Sequence, residues 1–180
     1  MVWNNPPLVV YHGTSLDNAE AMILPRGGNP HSVDLSFSRE KLDFGPGFYV
    51  TTSLRQAKSW ANFRVLRRKT AKRLSPSLPP VAAVVRFLLV RDELAALNDL
   101  VFVSEAVNQD YWDFVGHCRQ SVSPVHGRVQ PYDVVYGPVC AWPQPILFKD
   151  CDQIGLHTEQ ALAKLQYPEI MDRGDPMLTI

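Results

Sequence analysis

The residues best equipped for chemistry fall in two short runs, Tyr11-His12-Gly13-Thr14 and Phe44-Gly45-Pro46-Gly47-Phe48-Tyr49. In the first, the β-prone stretch Leu8-Val9-Val10-Tyr11 leads into a His, a Gly and two hydroxyl residues. That order predicts His12 at a strand terminus where the backbone turns. A neutral imidazole there offers one donor and one acceptor. Gly13 lacks a Cβ, so a ligand can approach its main-chain N–H and C=O closely, as an amide-bearing ring requires. On residue types alone, the competing reading is a histidine that caps a turn. In the second run Gly45 and Gly47 bracket Pro46, residues 48–52 alternate as a strand, and Thr52 or Ser53 can cap a helix that begins at Leu54. These glycines precede a strand rather than open a helix, and no third one follows. The run is therefore not a dinucleotide-binding fingerprint.

Taken together, Tyr-His-Gly-Thr, Phe-Gly-x-Gly-Phe-Tyr and an aromatic eleven residues beyond Tyr49, here Trp60, resemble the ADP-ribosyltransferase superfamily on its diphtheria-toxin-like and poly(ADP-ribose)-polymerase-like branch. The runs Leu42-Asp43-Phe44-Gly45, Gln56-Ala57-Lys58-Ser59-Trp60-Ala61, Tyr132-Asp133-Val134-Val135-Tyr136-Gly137-Pro138-Val139 and Asp152-Gln153-Ile154, the last leading into Thr158-Glu159-Gln160-Ala161-Leu162, resemble more closely a bacterial family of ADP-ribosyltransferase-like domains of unassigned function. That likeness extends from about residue 8 to 166. It implies an α+β fold, with a split mixed and antiparallel sheet core flanked by helices, and NAD as co-substrate with no metal. It also implies that His12 binds the adenosine-side ribose hydroxyl of NAD and that the backbone of Gly13, with Thr14 beside it, holds the nicotinamide amide. Tyr49 and Trp60 would sandwich the nicotinamide, a stack worth about 1–2 kcal/mol on a desolvated cationic ring. Trp60 stands where a Tyr is usual and keeps the stack. Ala57 stands where the polymerases carry a Ser that donates to the amide, so that bond is absent or supplied from elsewhere.

Breaking the glycosidic bond of NAD passes through an oxocarbenium-like ribosyl cation, which a carboxylate on the ribose hydroxyls stabilises. The resemblance places this acid on a late strand, and by pattern Gln153 occupies its position. A neutral amide can bond a ribose hydroxyl, but it stabilises a cation less and cannot deprotonate an acceptor, which argues against growth of poly-ADP-ribose chains. Three acids are candidates to compensate. Asp152 alternates away from Gln153 on a strand. Glu159, in the first turn of a helix, reads more simply as a charge complementing the helix dipole. Glu105, read at the start of a helix over 104–120 and opposite its buried stripe of Val107, Tyr111, Phe114, Val115 and Cys118, reads as a capping charge.

The remaining sequence frames these residues. With 180 residues, 46% of them hydrophobic, and 18 basic side chains against 18 acidic, one sizeable core and a single domain over 1–180 are expected, with its core over about 8–166. No apolar run is long enough to span a bilayer and the first residues lack the pattern of a signal peptide, so a cytoplasmic protein without membrane contact is expected. Cys118, Cys140 and Cys151 form no CxxC pair and read as small buried residues. No Ser sits in a G-x-S-x-G elbow, and His117 and Cys118 are helix neighbours that point apart. Periodicity predicts strands at 8–12, 47–52, 81–90, 100–103, 132–139, 145–149 and 152–157. Helices are predicted at 15–23, 54–74, 104–120 and 158–166, with a turn or short helix near 91–97 and a Pro-rich break at 75–80. The long loop 25–46 reads as a lid, and the tail 167–180 as loosely held. Arg64, Arg67, Arg68, Lys69, Lys72 and Arg73 crowd one helix end. They read as a solvated face, or else as a patch for phosphates or an acidic partner.

The expected activity is mono-ADP-ribosyl transfer from NAD to a macromolecular acceptor, protein rather than nucleic acid, in which Gln153 holds the reacting ribose. By extension of the resemblance this would be a toxin or effector with a neutralising partner. The alternatives are an NAD glycohydrolase, with water as acceptor, and a binding module that has kept the site and lost the chemistry.

Overall fold

The structure, a computed structural model, describes residues 5–71 and 79–180, without the side chains of residues 69 and 71. The chain forms an α+β fold of two compact units. Of the described residues, one comprises Asn5, Val33–Tyr49 and Arg91–Lys164, and the other 6–32, 50–71, 79–90 and 165–180.

The second of these units is built on an antiparallel sheet of β1 (Leu8–Ser15), β3 (Ala82–Leu89) and β7 (Leu165–Gly174), in the order β1-β3-β7. β3 lies in the middle and reads as a nearly continuous apolar run, Ala-Ala-Val-Val-Arg-Phe-Leu-Leu, as a strand covered on both faces must. Helix α1 (Leu16–Met22) follows β1 directly. Helix α2 (Leu54–Ala71) opens on Ser53, whose Oγ accepts the N–H of Gln56 at 3.2 Å. Ala57, Ala61 and Val65 of α2 pack with Ala82, Val84 and Leu178, and against Tyr11 and Leu54. The small side chains on this stripe let the helix lie close to the strand.

The other unit carries the sheet β2 (Phe48–Val50), β6 (Leu147–Leu156), β5 (Val134–Cys140) and β4 (Asp99–Val101), in the order β2-β6-β5-β4. β4 and β5 are parallel, and β5 and β6 antiparallel. Two single-turn helices, α3 (Arg91–Leu94) and α5 (Glu159–Leu162), accompany the longer α4 (Gln109–Arg119). Asn108 caps α4, its Oδ1 accepting the N–H of Asp110 at 3.1 Å. Phe44, Tyr111, Val115, Val135 and Cys140 form the core, with Tyr49, Phe102 and Phe114 packed against it.

Several sequence expectations are corrected. β1 runs on through Gly13 and Thr14 to Ser15, so His12 sits within a strand rather than at its end; pairing with β3 continues along all eight residues. The helix expected over 104–120 is a 3-10 turn, Ser104–Ala106, followed by α4, because Asn108 starts a fresh cap. The strands expected at 145–149 and 152–157 are one continuous strand, β6. The helix expected over 158–166 stops after one turn, and the tail is not loose. Residues 165–174 form β7 on the buried β3, Leu178 is buried, and Asn62 bonds both the N–H and the C=O of Leu178 at 2.6 and 2.9 Å. A backbone ladder supplies this order, which local composition does not report. The last residues of the helix expected over 54–74, and residues 75–78 of the Pro-rich break, lie outside the described residues. Within the loop 25–46, Arg26 and Asn29 form a bridge and Leu35–Phe37 a 3-10 turn.

Candidate functional site

β1 is an outer strand of its sheet, and its backbone polarity can be worked out. Tyr11 exchanges both of its backbone hydrogen bonds with Thr51, at 2.8 and 2.9 Å, while Leu16 donates to Val81, the residue before β3, at 2.8 Å. Alternation along an extended strand then turns His12 and Thr14 toward β3, and turns the N–H and C=O of Gly13 to the outer edge beside the Tyr11–Thr51 bridge. On the side where a Cβ would stand, Gly13 meets α2. A methyl built there would lie 2.0 Å from the Ala57 carbonyl oxygen and 2.8 Å from the Ala61 nitrogen. Gly13 is thus required for packing, and it also leaves a main-chain donor and acceptor on the strand's outer edge.

His12 and Thr14 flank that edge, and a third residue joins them. Arg64 of α2 directs one guanidinium nitrogen to His12 Nε2 at 3.3 Å and to Thr14 Oγ1 at 3.4 Å. A guanidinium only donates, so His12 Nε2 is the acceptor and the ring proton sits on Nδ1. Four residues on, Arg68 binds Ser15 Oγ at 2.6 Å and both carboxylate oxygens of Asp17 at 2.8 and 3.0 Å. The hydrogen bonds from Arg68 hold the Asp17 carboxyl down at about 2. The basic run is therefore not simply a solvated face. Two of its members are turned onto β1 and onto Asp17 of α1, and Arg67 lies 5.5 Å over the ring of Phe63; Lys72 and Arg73 lie outside the described residues. Trp60, on the same helix, is 47% exposed and meets Phe63 edge-on at 5.7 Å.

In the other unit the Phe-Gly-Pro-Gly-Phe-Tyr run is a loop fixed at almost every residue. Phe44 is fully buried, and its rings of contact are Tyr49, Phe102, Tyr111 and Phe114. Tyr49 donates its hydroxyl to the Gly45 carbonyl at 2.6 Å and accepts the Phe44 N–H at 3.1 Å. Gly45, at φ +77°, closes a turn back to Leu42. Burial holds the Tyr49 phenol well above its ordinary value, and the charge of Asp43 adds to that effect, so the hydroxyl stays neutral. Ser38 Oγ accepts from the Gly47 N–H at 2.5 Å. Pro46 C=O accepts from His157 Nδ1 at 2.6 Å, and Phe44 C=O from His126 Nε2 at 2.8 Å.

These two histidines face each other edge-on, with ring centroids 4.6 Å apart. His126 accepts the Tyr132 N–H at Nδ1, 2.9 Å away, so both of its ring nitrogens are used and the ring is neutral. His157 is wedged among Gly47, Gly155 and Tyr49. A Cβ at either glycine would fall 2.6 Å from one of its nitrogens, which explains why glycine stands at both positions. Its Nε2 is buried with no hydrogen-bond partner, and burial pushes the ring down to about 4.

Gln153, opposite Gly137 in the β5–β6 register, is buried with a relative exposure of 9%. Its Nε2 donates to Asp43 Oδ2 at 2.8 Å and to the Pro138 carbonyl at 3.0 Å. Asp43 Oδ1 in turn takes Arg119 Nε at 2.7 Å and Nη2 at 2.5 Å, and Arg119 Nη1 binds the Lys41 carbonyl at 2.8 Å. Asp43 was not among the acids considered from sequence. Its only signal is its place in Leu42-Asp43-Phe44-Gly45, since 110 residues separate it from Gln153. Glu105 and Glu159 are exposed, on a 3-10 turn and on α5, and Asp152 alternates to the other face of β6 from Gln153.

The structure brings His12, Gly13, Thr14 and Trp60 into one unit and Tyr49 and Gln153 into the other. Among the described residues, no group of three or more His, Cys, Asp and Glu side chains is placed to hold a metal ion, and no helix is long and apolar enough to cross a membrane. No curated protein and no solved structure matches the chain. The features that set β1, the Phe44 loop and α4 lie within the one stretch, residues 8–142, that matches the family described as "Protein of unknown function (DUF3990)", and the chain belongs to that family.

Proposed function

We propose that the protein is an NAD-dependent mono-ADP-ribosyltransferase that moves ADP-ribose onto a macromolecular acceptor. The observation that carries this reading is the outer edge of β1. There Gly13 turns a main-chain donor and acceptor outward, between His12 and Thr14, whose side chains Arg64 holds. A carboxamide needs one acceptor for its N–H and one donor for its C=O, and a strand edge at a glycine supplies both at a spacing that side chains cannot crowd. In this reading Gly13 binds the nicotinamide amide and His12, fixed with its proton on Nδ1, binds a ribose hydroxyl. Thr14 steadies the guanidinium that orients His12. The resemblance assigns the nicotinamide stack to Trp60 and Tyr49; the Tyr49 hydroxyl is committed to Gly45 and Phe44, so what Tyr49 offers is its ring and not an acid. Gln153 holds the reacting ribose.

Nicotinamide release from NAD by the purified chain, with and without cell lysate, tests the proposal, with His12→Ala and Tyr49→Ala as controls. Release that requires lysate and is lost in both variants is the expected result. Release without lysate would make the protein a glycohydrolase. If there is no release and no NAD binding by calorimetry, the NAD reading falls and the fold serves as a protein-binding module.

A further inference from the structure

We propose that Gln153 offers its side-chain carbonyl oxygen, not its amide nitrogen, to a ribose hydroxyl, and that Asp43 is the positioning residue that fixes it in that sense. This inference rests on the NAD reading above and adds a residue to it. Both partners of the Gln153 amide, the Asp43 carboxylate and the Pro138 carbonyl, accept only, so the NH2 group must face them and the orientation is chemically forced. Both amide hydrogens are consumed. Among the described residues Oε1 takes no hydrogen bond, yet the only buried side-chain oxygen or nitrogen without a partner among them is His157 Nε2. Gln153 Oε1 therefore keeps an opening to solvent on an otherwise buried residue. It can bond only a donor, which selects a hydroxyl over a phosphate or a carbonyl.

The second half of the argument concerns what holds the amide. Asp43 is 4% exposed, and two Arg119 nitrogens secure one of its oxygens while the other takes Gln153. A carboxylate on the N–H side of an amide draws density toward its carbonyl oxygen. It also removes the freedom of the amide to rotate, so the acceptor is aligned before any ligand arrives. Asp43 thus stands behind Gln153 as the charge that a carboxylate in place of Gln153 would carry in front.

A reversal of the pair tests this. Gln153→Glu alone sets two carboxylates about 2.8 Å apart with no donor between them and should gain no activity. Asp43→Asn alone frees the amide and should lower kcat/KM for nicotinamide release at least about tenfold while the Kd for NAD moves much less. In Asp43→Asn/Gln153→Glu the new Asn donates to the new Glu and removes the carboxylate–carboxylate repulsion, although the Pro138 carbonyl still loses its donor, so activity should exceed that of Gln153→Glu alone. Independently of NAD, the Gln153 side-chain amide protons in the wild-type chain should exchange slowly by NMR, and should lose that protection in Asp43→Asn with the backbone amide spectrum of β5 and β6 retained. Fast exchange in the wild type, an Asp43→Asn variant with wild-type kcat/KM, or a double variant no better than Gln153→Glu would each overturn the proposal. Absence of NAD binding by the wild type would instead overturn the NAD reading, and the exchange measurement would still report whether Asp43 holds the amide.

Discussion

Acidification should destabilise this protein well above the pH at which its carboxylates titrate, and His157 is the reason. The ring is wedged between Gly47 and Gly155, donates from Nδ1 to Pro46, and keeps a buried Nε2 that would have to carry a proton with nothing to receive it. Burial lowers its pKa from 6.5 to about 4, and neighbouring His126 pushes the same way. At about 1.4 kcal/mol per pH unit, that shift corresponds to about 3 kcal/mol. The sign follows from the direction: the unfolded ring binds its proton near 6.5 and the folded ring only near 4, so the contribution is intact above 6.5 and is lost as pH falls from there toward 4. His126, also lowered by burial, adds a loss of the same sign. Asp17, held at about 2 by Arg68, acts only below the ordinary carboxylate value of 3.8. Urea denaturation between pH 7.5 and 4.5 should show stability falling steeply through this window. His157→Phe, which keeps a ring in the wedge but cannot titrate, should have a shallower dependence by close to one proton. An NMR titration of the ring in the wild type should give a pKa near 4. A ring that titrates at 6.5, or a variant with the wild-type slope, would refute the reasoning.

Three further outcomes separate packing from ligand roles. Gly13→Ala drives a methyl into the Ala57 carbonyl and the Ala61 nitrogen, helix backbone that cannot rotate aside, and should cost about 3 kcal/mol in urea denaturation; an unchanged midpoint would leave Gly13 with no packing role. Tyr49→Phe removes the hydroxyl that bridges Gly45 and Phe44 and should cost about 1–3 kcal/mol, with faster hydrogen exchange at the Phe44 amide. Arg68→Ala breaks an ion pair with Asp17 whose side chains are 37% and 59% exposed, so it should cost less than about 1 kcal/mol, and less again in high salt.

Much of the architecture is legible along the chain because it depends on local signals. Strand 81–90 appears as β3 from its nearly continuous apolar run, helix 54–74 as α2 from the cap at Ser53, and only the buried stripe through Tyr111, Val115 and Cys118 follows from residues that recur by turns. The two motifs are also visible along the chain, as are Gly13, His12 and Tyr49 as residue types. Where local signals compete, the sequence misleads. Gly13 looks like the end of a strand but lies within one, since the missing Cβ serves the approach of α2 and not a turn. The polar, Gly- and Pro-containing residues 167–174 look loose, but they belong to a strand because β3 offers them a ladder.

What the sequence determined by itself was the α+β class and the elements whose signal is local, β3, α2 and the buried stripe of α4 among them. Only the tertiary structure decided the partners. Arg64 on His12, Asp43 behind Gln153, and His157 between two glycines join residues separated by 52, 110 and up to 110 positions. Such pairs are fixed by sheet register and helix packing, in which each contact depends on the geometry of whole elements. Local propensity extends only a few residues along the chain and carries no record of them.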